Sequence, residues 1–138
     1  MMSINDTIDL VFQATVLAKG GEVFILKMPV VRLGDLIEVV TDQVSRQYNI
    51  PKASIKTETT GLRAGEKMYE ELMTETEATA AFETDEMLII PPQIEMPSIT
   101  FQVTDYLGVR KCRLSRYSSR DVAPLSREKV KGLLYPGS

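Results

Sequence analysis

Apolar residues recur at helical spacing near the start of the chain. Ile4, Ile8, Val11, Thr15 and Ala18 share one face and predict a helix over 4–18. Ser3 can cap it, with Asp6 three residues on, and Gly20-Gly21 should end it. The run Glu22-Val23-Phe24-Ile25-Leu26 is continuously apolar after one charge, as in a strand covered on both faces, and Lys27-Met28-Pro29 closes it. A second helix is predicted over 34–47. Its stripe is Leu33, Leu36, Ile37, Val40 and Val44, and Tyr48-Asn49-Ile50-Pro51 stops it. The β-branched stretch 54–59 predicts a second strand, and 66–73, rich in helix formers, a third helix. Thr74 and Glu77 have capping-box spacing and should restart a helix through Phe82. Met87-Leu88-Ile89-Ile90 reads as a short buried strand ended by Pro91-Pro92.

From Gln93 the pattern becomes irregular. Alternation over 99–103 allows one more strand, and Ser126 caps a last helix over 126–134, with Leu125 and Val130 placed as a hydrophobic staple. The expected fold is α/β, about three helices packed on a small sheet over residues 1–92, with an irregular C-terminal arm and short terminal helix over 93–138. No internal repeat is present. The chain starts almost directly at its first helix, without the linker that normally marks a domain boundary, so an excised piece is expected.

Composition narrows the chemistry. With 138 residues and a net charge of −3, and without a Lys/Arg run, no nucleic-acid partner is expected. No apolar stretch approaches the roughly 18 residues of a membrane span, and no signal peptide is visible. The single cysteine, Cys112, fits a reducing compartment, the cytoplasm. Cations surround it in Arg110-Lys111-Cys112-Arg113, which fits either an activated thiol or an incidental one. Histidine is absent, which excludes Ser-His-Asp and Cys-His centres and the usual zinc sites. No metal site and no catalytic constellation is expected.

The most informative stretch is Gly61-Leu62-Arg63-Ala64-Gly65-Glu66. Two glycines free to take positive φ flank an arginine whose planar fork suits phosphate oxygens. Glu66 falls at the first turn of the predicted helix, where the macrodipole favours an anion. An arginine for phosphates and a carboxylate for sugar hydroxyls would suit a nucleotide sugar. A surface Arg63–Glu66 ion pair on a plain turn reads the same spacing equally well. The phosphate-binding P-loop does not fit, because three residues separate the glycines and Met68 follows Lys67. Lys27, at its strand's end, either reaches an anion or marks the exit to solvent. Tyr48 and Lys52 imitate a Tyr-x-x-x-Lys pair, but Pro51 breaks the helical turn that pair requires. Arg110-Lys111-x-Arg113-x-x-Arg116 is either an anion-facing edge or a solvated arm.

Three blocks resemble one family in its order. Residues 1–10, the run from Gly20 to Pro29 and the run from Gly61 to Glu70 are similar to the sugar-nucleotide dehydratases and epimerases of polysaccharide biosynthesis, in the extended short-chain dehydrogenase/reductase superfamily. Tyr117-Ser118-Ser119 followed by Leu125-Ser126 resembles that family's tail, and Ala64 departs from its common proline. The resemblance implies that Arg63 binds nucleotide phosphates and Glu66 the ribose of a UDP-sugar. It implies NAD(P) for the full-length parent, an enzyme of the UDP-N-acetylglucosamine 4,6-dehydratase or epimerase type. No Gly-x-Gly-x-x-Gly fingerprint occurs here, so no cofactor is expected in this chain. The expected identity is the C-terminal substrate-binding part of such an enzyme, with substrate contacts from Arg63, Glu66 and Lys27 and with the absent Rossmann domain as its partner. A bare face left by that domain would favour self-association. The alternative is a free-standing, non-catalytic binding or interaction module.

Overall fold

The computed structural model describes residues 2–94, 101–106 and 108–136. Its elements in chain order are α1 (Ile4–Leu17), β1 (Val23–Leu26), α2 (Leu33–Gln47), a 3₁₀ turn (Lys52–Ser54), β2 (Glu71–Met73), α3 (Glu75–Ala80), β3 (Phe82–Glu83), β4 (Met87–Ile90), a 3₁₀ turn (Val103–Asp105), β5 (Arg110–Lys111), β6 (Tyr117–Ser118) and α4 (Arg127–Leu134). Among the described residues the class is mixed α/β, with four helices and two small antiparallel sheets. Contacts divide the chain into two units. The sheet unit holds Met2–Met28 and Glu70–Asp121; the loop unit holds Pro29–Tyr69 and Val122–Ser138.

The sheet unit is built on β4. The order β1-β4-β3-β5 is antiparallel throughout and puts β4 inside, with Ile25 opposite Leu88 and Phe82 opposite Ile89. All four residues of β4 are buried, each contributing about 1.5–3 kcal/mol against exposure. The β3–β4 turn is local chemistry. Thr84 N–H donates to the Met87 carbonyl at 2.9 Å, and Thr84 Oγ1 accepts from Met87 N–H at 3.0 Å. The box at α3 closes as predicted: Thr74 N–H reaches Glu77 Oε2 at 2.8 Å and Glu77 N–H reaches Thr74 Oγ1 at 3.4 Å. A second ladder pairs β2 with β6. The β1 run is not covered on both faces as expected: Val23 is exposed and Ile25 alone is buried.

Helix α1 begins at the predicted cap, with Asp6 N–H donating to Ser3 Oγ at 3.1 Å. At its end Gly20 and Gly21 take φ of 132° and 80°. The Glu22 carboxylate gathers Lys19 N–H at 3.0 Å, Gly20 N–H at 2.7 Å and the Tyr106 hydroxyl. The predicted inward face is instead outward: Ile4, Ile8 and Val11 are exposed together with Phe12 and Val16, and Leu10, on the opposite side, is the buried residue.

In the loop unit, α2 packs on α4. Arg127 donates to Asp35 at 2.7 Å and to Glu38 at 3.1 Å. The predicted α2 stripe is again only partly covered. Leu33, Ile37 and Val40 are exposed while Val39 is buried, as is Val130 of α4. Asn49, at φ 53°, turns the chain out of α2. Lys52 pairs with Asp42, so it has no part in a Tyr48–Lys52 site.

Two further expectations fail. No strand forms over 54–59, because the β-branched stretch finds no ladder partner; residues 52–54 form the 3₁₀ turn instead. No helix forms over 66–73, because residues 71–73 pair with the distant β6 as strand β2. Glu66 therefore has no helix dipole beside it in the chain. Of the strand expected over 99–103, residues 99–100 lie outside the described residues, and Phe101 and Gln102 precede the second 3₁₀ turn. The sheet also takes its outer strand β5 from beyond residue 92.

Candidate functional site

Arg63 to Glu66 form a single tight turn. Glu66 N–H donates to the Arg63 carbonyl at 3.0 Å. Gly65 has φ 89°, and Ala64 is not among the positive-φ residues. Positive φ at the third position alone is the signature of a type II turn, whose second position favours proline. A Cβ added at Gly61 or Gly65 would meet nothing within 4 Å. The glycines are therefore required by backbone angle, not by crowding.

Glu66 closes the turn a second time, its Oε2 accepting Arg63 N–H at 2.8 Å. The two residues are thus joined through the Arg63 backbone, and among the described residues the guanidinium makes no ion pair with Glu66 or any other carboxylate. The surface ion-pair reading of Arg63 and Glu66 does not describe this geometry. The turn lies in a run, 56–72, that is exposed throughout. It presents a fork of cationic donors and a carboxylate with Oε1 outside the turn's own hydrogen bond, a pairing suited to an anion next to a hydroxyl.

Lys27 lies in the sheet unit, just past β1. Its ammonium donates to Glu83 Oε2 at 2.6 Å and to the Thr84 carbonyl at 2.7 Å. Glu83 Oε1 also accepts from Arg110 Nε at 3.3 Å, and Arg110 reaches Asp85 at 2.9 Å. Glu83 is 6% exposed. The Lys27 hydrogen bond holds its carboxyl below the usual range against the upward push of burial, with Arg110 adding to the effect. Two of the three Lys27 donors are thus committed within the sheet unit. Sequence reasoning missed Glu83 because nothing near Phe82-Glu83 signals a partner; pairing of β3 with β5 brings Arg110 to it, and pairing through β4 to β1 brings Lys27.

Other features carry less chemistry. A groove of about 250 Å³ between α2 and α4 is lined by Glu38, Asp42, Arg46, Arg127, Glu128 and Lys131, with both charge signs mixed. Arg116 is paired with Asp121 at 2.7 Å, and Arg110 with Glu83 and Asp85, so these members of the basic segment are neutralised locally. Cys112 is half-buried and free. Among the described residues no three potential metal ligands converge. A dinucleotide cradle needs a glycine-rich loop between a parallel strand and a helix. The strands here pair antiparallel, so the described residues do not fit NAD(P) in that mode.

Known proteins are similar to this chain in sequence, and a solved structure in fold. An uncharacterized membrane protein of Methanocaldococcus jannaschii is 39% identical over 136 residues, 97% of this chain and 37% of its own length. Among the described residues of the present chain, no helix is long and apolar enough to cross a membrane. The capsular polysaccharide biosynthesis protein CapD of Staphylococcus aureus is 40% identical over 77 residues, 55% of this chain and 12% of its own. The probable polysaccharide biosynthesis protein EpsC of Bacillus subtilis is 36% identical over 81 residues, 57% of this chain and 13% of its own. The X-ray structure of Pen from Bacillus thuringiensis superposes with a TM-score of 0.80 at 40% identity, covering 97% of this chain and 36% of Pen. The chain thus spans little more than a third of the longest-matching relatives. A family model described as polysaccharide biosynthesis protein matches residues 1–92, and the chain belongs to that family.

Proposed function

We propose that this chain is the nucleotide-sugar-binding part of an NAD(P)-dependent UDP-sugar dehydratase or epimerase of polysaccharide biosynthesis, in the extended short-chain dehydrogenase/reductase superfamily. The observation that carries this reading is the Arg63–Glu66 turn, which uses the arginine's backbone to close itself and leaves its guanidinium without an ion pair among the described residues. In this proposal the guanidinium takes the diphosphate and Glu66 the ribose hydroxyls. The cofactor and the redox chemistry belong to a Rossmann domain outside these residues, and Lys27 assists at the strand end with its remaining donor. The exposed α1 row of Ile4, Ile8, Val11, Phe12 and Val16 is the surface that domain covers, and without it the chain self-associates.

Calorimetric titration with UDP tests the site. Half a pocket should bind at about millimolar, roughly 4 kcal/mol. Arg63→Ala should weaken binding about tenfold or more, and Arg63→Lys should restore little, because an ammonium cannot reproduce a bidentate fork. Equal affinity in the wild type and Arg63→Ala would remove Arg63 from the site and leave the turn a plain connection.

A further inference from the structure

The segment from Pro29 to Tyr69 leaves the sheet unit after Met28 and returns at Glu70; a second departure follows Asp121. Three consecutive residues hold the first two of these points. Tyr117 Oη accepts Met28 N–H at 2.9 Å and lies 3.3 Å from the Met28 carbonyl, to which it donates. Ser118 Oγ donates to the Glu70 carbonyl at 3.1 Å. Ser119 N–H donates to that same carbonyl at 2.8 Å, and Ser119 Oγ accepts Glu70 N–H at 2.9 Å. The third point lies two residues further on, where Asp121 N–H donates to the Ser118 carbonyl at 3.1 Å.

These bonds are mostly made by side chains on backbone. Strand β6 is only two residues long, and its register with β2 shifts between Glu71 and Met73, so the ladder alone is a short anchor. Tyr117 and Ser118 are nonetheless buried. The Tyr117 hydroxyl serves both backbone groups of half-buried Met28, and Ser118 Oγ adds a second donor to the Glu70 carbonyl that Ser119 N–H already holds. Glu70 stands only four residues beyond Glu66, inside an exposed run with no ladder upstream of β2. The end of that run is therefore where the Arg63 turn is tethered to something ordered.

We propose that Tyr117-Ser118-Ser119 is a clasp that closes the base of the 29–69 excursion, and that Ser119 and Tyr117 are positioning residues for the Arg63 turn. Fixing both ends of a long excursion removes the closure entropy it would otherwise carry into every ordered arrangement of its interior. The clasp itself is independent of what the turn binds. Its consequence for binding rests on the nucleotide-sugar reading.

Amide hydrogen exchange on the whole chain, read residue by residue by NMR, tests it with Ser119→Ala, Tyr117→Phe and the conservative Ser119→Thr. The reporters are Leu125 N–H, bonded to the Val30 carbonyl, and Leu36 N–H, bonded to the Arg32 carbonyl, both outside the sheet unit. In Ser119→Ala and Tyr117→Phe they should exchange about tenfold faster, the size expected for one or two lost hydrogen bonds. The β1–β4 ladder amides should keep their rates, and Ser119→Thr should restore the reporters. Faster exchange everywhere, including β4, would reduce the residues to general stability and overturn the proposal. A change confined to Met28 and Glu70 would overturn it as well. Ser119→Ala removes one half-buried hydroxyl and decides the matter alone if Tyr117→Phe does not fold. UDP affinity should fall in Ser119→Ala. If the exchange shift appears and measurable UDP affinity is unmoved, Ser119 does not position the Arg63 turn and that part of the proposal is overturned; a wild type that binds no UDP would instead fail the nucleotide reading and leave the clasp standing.

Discussion

The sheet unit and the loop unit solve the problem of holding a chain together in different ways. In the first, Met73, Ala81, Met87, Leu88 and Ile89 are all but completely buried and β4 is packed along its whole length. In the second, burial falls on Val39 and Val130, and much of the order comes from surface charge, with Arg127 bound to Asp35 and Glu38 and Lys52 to Asp42. Exposed ion pairs contribute about 0–1 kcal/mol each, against several for a buried aliphatic side chain. Stability is therefore concentrated in one unit, while the turn bearing Arg63 and Glu66 lies in the other, where opening is cheapest.

The sharpest way to break this contrast is to cut each core. Leu88→Ala should cost about 2–5 kcal/mol by urea unfolding, and Val39→Ala, in the loop unit, about 1 kcal/mol. Comparable losses would show that the loop unit is cored after all. Next in size is Glu83→Gln, expected to cost about 2 kcal/mol at neutral pH by weakening the hold on Lys27. Because the folded Glu83 carboxyl is depressed below its unfolded value, its contribution is fully present above about pH 4.3 and drains away as pH falls through the folded value. Melting curves of wild type and Glu83→Gln should therefore converge in acid; a constant gap down to acid pH would contradict the Lys27–Glu83 account.

Smaller effects probe the turn. Gly65→Ala forces a side chain into φ 89° and should cost about 1 kcal/mol, seen in chemical denaturation as a loss confined to the loop unit. Ala64→Pro should act in the opposite sense. Proline suits the second position of a type II turn, so a gain of about 0.4–1 kcal/mol is expected. A loss on Ala64→Pro would mean the turn is of another type.

Local chemistry was legible in the sequence and pairing was not. The caps at Ser3, Thr74 and Ser126 and the stops at Gly20-Gly21 and Pro51 depend on neighbours a few residues away; α1, α3 and α4 start directly after those caps, and α1 and α2 end at Leu17 and Gln47, a few residues before those stops. Strand β4 was legible because it is apolar throughout and bounded by turn residues and prolines. Residues 54–59 and 71–73 were misread in opposite senses for one reason: a ladder needs a partner, and composition cannot say whether one arrives. The stripes of α1 and α2 were read correctly as stripes, but periodicity does not say which face is covered. In the candidate turn, Gly61, Arg63, Gly65 and Glu66 were singled out from spacing. That Glu66 closes its own turn came only from the fold, as did the place of Glu83, whose cations come from residues far away in sequence.

The order of the larger sheet has a consequence for how this protein goes wrong. Its two outer strands are unlike. Strand β5 is Arg110-Lys111, a charged edge of the kind that discourages a further strand from adding. Strand β1 is Val-Phe-Ile-Leu, uncharged and β-branched at half its positions, with β4 on one side and no other strand beside it among the described residues. Strand addition on warming or concentration should therefore occur at one edge of this sheet, with copies recruited along Val23–Leu26. A single lysine at the exposed Val23 should be the most economical guard against it.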